Sequence, residues 1–455
     1  MLFKRLSRTA IIAVVAGISW QAPAWSETLT DALIAAYQTS GLLQQNRALL
    51  RAADEDVAKA VGTLRPVIIW AASANYSNPS TGDELTGSLR TSLDWLLYDF
   101  GRSQLSIDLQ KEAVLATRES LKSVEQQVLL RAVGAYLDVR RQNALVGLRE
   151  NNVRLITQQL RAARDRFEVG EVTRTDVSIA EARLAAARSG LAAAQGALAQ
   201  AREEYKASTG AFPSRLQPPP ATPGTAANLP AAREIALDRH PDLLKAQRDV
   251  TVAELAVAVA AGALKPSLRG SASFGVDQDG DDSTSLGLTL SGPIYRGGQI
   301  TSDVRRAQAS RDAARAGLYT TAQTVEQNVG NAWADLAVAR ASREASDQQV
   351  RASRLALRGA QEELQVGART TLDVLDREQE LLDAQTSLIT AEIDQTLAAY
   401  RLLSTMGLLT VDHLKLGIAT YDPAAYYNAV KDAPTVLVSP QGERLDRVMR
   451  SLNRN

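Results

Sequence analysis

The segment "VGARTTLDVLD" at residues 366–376 interrupts a long run of helix-forming residues, and a relative of it, "VGEVTRTDVSI", stands 197 positions earlier at 169–179. Val, Gly, Thr, Asp and Val keep their places in both. The pattern is that of a turn between two helices. Gly170 and Gly367 suit the left-handed conformation that closes a helix C-terminus. Thr173 and Thr370 suit the N-cap of the next helix, and Asp176 and Asp373, three residues on, sit where a carboxylate favours a helix N-terminus.

The repetition extends well beyond the turns. "YDFGR" at 98–102 matches "YRGGQ" at 295–299, "AYL" at 135–137 matches "AWA" at 332–334, and Gly210 matches Gly407, all at the same offset. Upstream the offset becomes 200, where "LRP" at 64–66 meets "LKP" at 264–266 and Leu29 meets Leu229. Such self-similarity predicts two homologous units, 27–210 and 229–407, joined by a Pro-rich linker at 211–228 and followed by a tail at 408–455. Each unit reads as a shorter helix, a β-hairpin (about 65–98 and about 265–295), a very long helix, a tight turn (169–173 and 366–370) and a returning helix.

No proline lies between Pro79 and Pro213 or between Pro293 and Pro423, so both intervals can be helical. Long helices at about 103–167 and 301–364 would each measure close to 100 Å at about 1.5 Å per residue. The returning helix carries a seam stepping by three and four, Val177, Ala180, Leu184, Ala187, Leu191, Ala194, Leu198, Ala201 and Tyr205, and the second unit preserves most of it. Such a seam predicts paired, supercoiled helices. The expected class is mainly α with a small β part, built as an elongated molecule.

The strands alternate. From 85 to 97 one face reads Leu85, Gly87, Leu89, Thr91, Leu93, Trp95, Leu97, and the other Thr86, Ser88, Arg90, Ser92, Asp94, Leu96. Strands of about 10 to 12 residues with aromatic residues near their ends fit an outer-membrane barrel as well as a soluble sheet. Four strands cannot close a barrel, because the smallest membrane barrels have eight, so insertion demands an oligomer. Two copies would give 8 strands and three would give 12. Only the larger ring leaves an interior wider than its side chains, and Arg90 and Asp94 would then line a water-filled lumen.

Composition narrows the chemistry. The 51 basic residues balance 51 acidic ones, so no global field points to nucleic acid. There is no Cys and there are only two His, which excludes thiol chemistry and makes a His-based metal site or triad improbable. P-loop, nucleophile-elbow and dinucleotide motifs are missing, so no enzyme activity, cofactor or metal is expected. Residues 1–26 read as a secretory signal peptide, with Lys4, Arg5 and Arg8 before an apolar run that is too short to span a bilayer. The acidic loop "DQDGDD" at 277–282 reads as a solvated hairpin tip rather than a calcium loop.

At the second turn Asp373, Asp376, Glu380 and Asp383 fall on one helix face. The face is either simply solvated or, in a symmetric tube, part of a ring of carboxylates that attracts cations.

Together the paired hairpins, "LYDFG" at 97–101, "IYRGG" at 294–298, the duplicated halves and the "VGxxTxxDV" turns resemble the TolC-type outer-membrane channel-tunnel family over nearly the whole mature chain. That resemblance implies a 12-stranded β-barrel shared by a homotrimer, set in outer-membrane lipid and continued by an α-helical barrel across the periplasm. It implies an exit duct for type I protein secretion or tripartite efflux, with a periplasmic adaptor and an inner-membrane transporter as partners. Asp373 and Asp376 then match constriction aspartates, and Thr175, Asp176 and Arg369 match members of the network that holds the tips closed. Leu364 stands where the family has an aromatic hydroxyl. The tail is similar to the branch associated with type I secretion. Small-molecule efflux is the alternative, and a periplasmic coiled-coil adaptor or scaffold is the reading from a different class.

Overall fold

The computed structural model describes residues 26–77, 84–220, 224–435 and 447; the expected export segment lies outside them except for Ser26. In chain order the elements are α1 (Leu29–Thr39), α2 (Gly41–Gly62), β1 (Val67–Ser77), β2 (Glu84–Tyr98), α3 (Arg102–Glu168) and α4 (Arg174–Thr209). The same series follows as α5 (Leu229–Arg239), α6 (Pro241–Gly262), β3 (Ser267–Asp277), β4 (Asp282–Ser291), α7 (Gln299–Gln365) and α8 (Thr371–Thr405), and a short α9 (Pro423–Val430) closes the series.

Each long helix has 67 residues, about 100 Å of continuous helix. Because α3 is roughly as long as α2 and α4 together, α2 flanks its sheet-proximal half and α4 its distal half. The helices form one layer, ordered α2–α3–α6–α7 near the sheet and α4–α3–α8–α7 toward the turns. The Leu/Ala seam of α4 is the buried one, with Ala180, Leu184, Ala187, Leu198, Ala201 and Tyr205 all packed. Small residues let the axes approach while Leu and Tyr fill the spaces opposite.

The shorter helix expected before each hairpin is two helices. Ser40 and His240 hold extended backbone at the breaks, where the Ser40 hydroxyl accepts from the Leu43 N–H and His240 Nδ1 accepts from the Asp242 N–H. Pro241 follows at a first-turn position, where its missing N–H costs no helical hydrogen bond.

The main core lies midway along α3. Tyr136, Leu129, Leu137, Tyr205, Leu402 and Met406 are fully buried there. The Pro-rich connection is pinned across it rather than free: Glu27 and Leu216 form a parallel bridge, and the Tyr136 hydroxyl donates to the Gln217 carbonyl at 2.7 Å. Gly407 turns the chain out of α8 at φ +76°, so close to α5 that a Cβ would lie 2.7 Å from the Arg239 carbonyl oxygen.

Beyond that turn the tail folds back on the first unit. The Glu125 carboxylate accepts from the Val411 N–H at 2.7 Å. Arg47 lies between the rings of Tyr37 and Tyr421, and Arg118 lies over Tyr427. Beneath them Asp54 is fully buried, and neither carboxylate oxygen has a hydrogen-bond partner among the described residues. Burial pushes its pKa up to about 6, against the pull of Arg118.

Two outcomes follow from this packing. Gly407→Ala combines a strained φ with a backbone clash and should cost about 2–3 kcal/mol, read as a lowered unfolding midpoint. The Asp54 carboxyl favours the fold in its acid form, so its contribution is complete below the ordinary 3.8 and disappears as pH rises through about 6. Asp54→Asn should therefore stabilise the protein at pH 7.5, by an amount on the order of 2–3 kcal/mol, and narrow the gap in thermal midpoint between pH 7.5 and 5.5.

Candidate functional site

The four strands form one antiparallel sheet in the order β1-β2-β3-β4. Its register carries one face through all of them: Ile68 opposes Leu93, Trp70 opposes Thr91, Leu93 opposes Ala272, and Ala272 opposes Leu286. Residues directly opposite in a ladder share a face. This face therefore collects Ile68, Trp70, Leu89, Phe274, Leu286 and Leu288, with Trp70 75% and Leu286 83% exposed. So large an uncovered apolar surface requires an apolar environment.

The other face is polar. Arg90 and Asp94 stand there with Ser73, Ser88, Ser271, Ser273 and Ser285, and the hydroxyls pair across strands, Ser73 with Ser88 at 2.9 Å and Ser273 with Ser285 at 2.8 Å. At 15 residues β2 is longer than expected. Its end runs past the pairing with β1 as far as Tyr98, and there the Trp95 indole N–H donates to the Leu64 carbonyl at 2.9 Å. No helix among the described residues is long and apolar enough to cross a membrane. The outer edges of β1 and β4 have no strand partner among the described residues.

At the far end both turns adopt one conformation. Gly170 has φ +80° and Gly367 φ +77°. The Asp176 N–H donates to Thr173 Oγ1 while the Thr173 N–H donates to the Asp176 carboxylate, and Thr370 and Asp373 repeat the exchange. The Thr370 backbone N–H, then its hydroxyl, hold the Asp373 carboxyl below the usual range.

The remaining acidic face of α8 is more fully partnered than the spacing suggests. Arg183 on α4 meets Asp376 at 2.7 Å, Arg377 meets Glu380 at 2.6 Å, and Gln379 donates to Asp383 at 2.8 Å. Arg369 pairs with Glu363 of its own hairpin at 2.7 Å, and Thr175 lies exposed on the first turn of α4. Within one chain, then, Thr175, Asp176 and Arg369 are near the tips without being bonded to one another. The shortest tie between the two hairpins is Arg183–Asp376; Gln159–Glu378 and Arg141–Asp394 join them farther from the tips. Sequence spacing sets Arg183 in register with Glu380 of the other unit and carries no sign of this contact.

Comparison with known proteins agrees with this geometry. The model of the family described as "Outer membrane efflux protein" matches twice, at residues 33–211 and 232–408. The chain is 36% identical to the outer membrane efflux protein BepC of Brucella suis, over 96% of this chain and 98% of that one. It is 25% identical to the outer membrane protein TolC of Vibrio cholerae, over 85% and 92%. A 26% likeness to the alkaline protease secretion protein AprF of Pseudomonas aeruginosa covers 68% of this chain and 67% of that one. Among solved structures, CusC superposes with a TM-score of 0.76 at 18% identity over 84% and 92% of the two chains. The Campylobacter jejuni CmeC outer membrane channel gives 0.75 at 15% identity over 95% and 98%. Matched in both of its halves and along its full length, the chain belongs to the outer membrane efflux protein family.

Proposed function

We propose that three copies of the chain close one conduit, with β4 of each pairing with β1 of the next and α7 lying against the neighbour's α2 and α4. The observation that carries this is the sheet: four strands with one serine-lined and one bare apolar face, and no strand partner at either outer edge among the described residues. In hydrocarbon an unpaired edge costs several kcal/mol for each backbone group, and closure is the remedy. Twelve strands give a lumen in which Arg90 and Asp94 face water.

The protein is an outer-membrane exit duct of the kind used by efflux pumps and type I secretion systems. As a passive conduit it draws energy from an inner-membrane transporter, joined through a periplasmic adaptor. The likeness to an efflux protein along the full chain supports small-molecule efflux, and the partial likeness to a protease secretion protein supports protein export. Secreted protein and toxin sensitivity compared in a deletion strain separate these cargoes. Purified protein should migrate as a trimer before heating and as a monomer afterwards. Pore formation by a detergent-stable monomer would overturn the arrangement.

At the tips, the three-fold axis gathers Asp373 and Asp376 into a ring that selects cations, with Thr175, Asp176 and Arg369 closing contacts between neighbours. The Arg183–Asp376 pair holds the two hairpins of each copy together. It supplies a tie where Leu364 offers no hydroxyl. In planar bilayers Asp373→Ala with Asp376→Ala should reduce cation selectivity, and Arg183→Ser should raise conductance and selectivity together. Unchanged conductance in the Arg183→Ser channel would remove that pair from the closure.

A further inference from the structure

Glu378 sits on α8 where that helix crosses α3, and it is only 5% exposed. The Gln159 amide donates to its Oε1 at 3.4 Å, while Oε2 is buried with no hydrogen-bond partner among the described residues. Burial lifts its pKa above the usual carboxylate range, and the Gln159 amide alone opposes that rise. An ionised group in this position lacks a counter-cation.

The duplication shows what is missing. At the equivalent position of the first unit Glu181 pairs with Arg164 at 2.5 Å. The residue equivalent to Arg164 is Gln361. The second unit thus has the carboxylate and lacks its cation. In addition a cavity of about 450 Å³ opens on Glu378 between α3, α7 and α8. Its apolar wall includes Leu155, Leu357, Leu381 and Leu382, and Asn152 and Gln158 supply carboxamides. The other charged side chain on the wall is Arg154 of α3, which is exposed and donates to Asn151; the residues contributed by α7 and α8 other than Glu378 do not titrate.

We propose that this cavity binds a small amphipathic organic cation, with its ammonium on Glu378 and its hydrocarbon against the leucines. The volume falls in the range of small-molecule pockets, about 300–1,000 Å³. A primary ammonium would satisfy Oε2 and leave further N–H groups for the carboxamides. Because the ligand requires the ionised carboxylate, affinity rises with pH as Glu378 loses its proton. The site joins the first hairpin to the second, so its occupant bears on how they move against each other. Glu378 follows Asp376 by two residues on α8 but turns toward Gln159 of α3, whereas Asp376 turns toward Arg183 of α4.

Dansylcadaverine, a fluorescent primary ammonium, tests this with the purified full chain in detergent. Saturable enhancement is expected, displaced by hexylammonium and not by hexanol, and tighter at pH 8 than at pH 5, where a carboxyl raised above its ordinary 4.5 takes up its proton. Glu378→Gln should weaken binding about tenfold, the loss of one charge-assisted contact, and flatten the pH profile. Gln361→Arg, which supplies the internal cation of the first unit, should weaken it similarly and serves if the first variant fails to assemble. No saturable binding, displacement by hexanol as strong as by hexylammonium, or variant affinities within twofold of the parent would overturn the proposal.

Discussion

Backbone polar groups cannot remain unpaired in hydrocarbon, and the architecture answers to that constraint. The apolar face from Trp70 to Leu288 commits the sheet to lipid, yet among the described residues the sheet ends on two strands without partners. The helical layer ends in the same way, on α2 and α4 at one side and α7 at the other. Both layers therefore have free margins on the same two sides, and in the proposed trimer the rotation that joins the strands of neighbouring copies would also join their helices. Symmetric closure meets the hydrogen-bonding demand at one end and the packing demand at the other.

The two units share a plan and diverge in their charges. Asp54 is buried under the tail near Arg118, whereas the equivalent residues Glu254 and Arg315 form an exposed pair at 2.6 Å. Conversely Glu181 has Arg164, and Glu378 has only an amide. In each case one unit satisfies a carboxylate locally and the other leaves it to depend on something that covers it. The backbone plan is thus served by short-range geometry, and the departures from symmetry mark where additional surfaces meet.

Local physics made much of this readable beforehand. The capping boxes at Thr173 and Thr370, the glycine turns before them, the buried seam of α4 and the two faces of β2 all follow from spacing, because each depends on neighbours a few residues away. Long-range contacts were not legible in that way. Arg183 meets Asp376 only because α4 and α8 approach beside α3, and no periodicity encodes that meeting. Composition marked residues 211–228 as an extended linker; Glu27 and Tyr136 bind its backbone, a role neither residue type announces. Likewise Tyr421 and Tyr427 have no pattern of their own, and their meaning comes from the arginines they cover.

Both turns are stapled by reciprocal bonds where each runs into the next helix, which makes them poor hinges. In the proposed conduit, widening at the tips would then come from tilting of intact arms about their packed midpoint near Tyr136 and Tyr205. Helices α4 and α8 have 36 and 35 residues, an arm of about 50 Å. A tilt of about 5° at the fulcrum would carry such an arm's tip roughly 4 Å, comparable to the reach of one ion pair. A modest torque at mid-height, amplified by leverage, is enough to part groups that no cargo has yet touched.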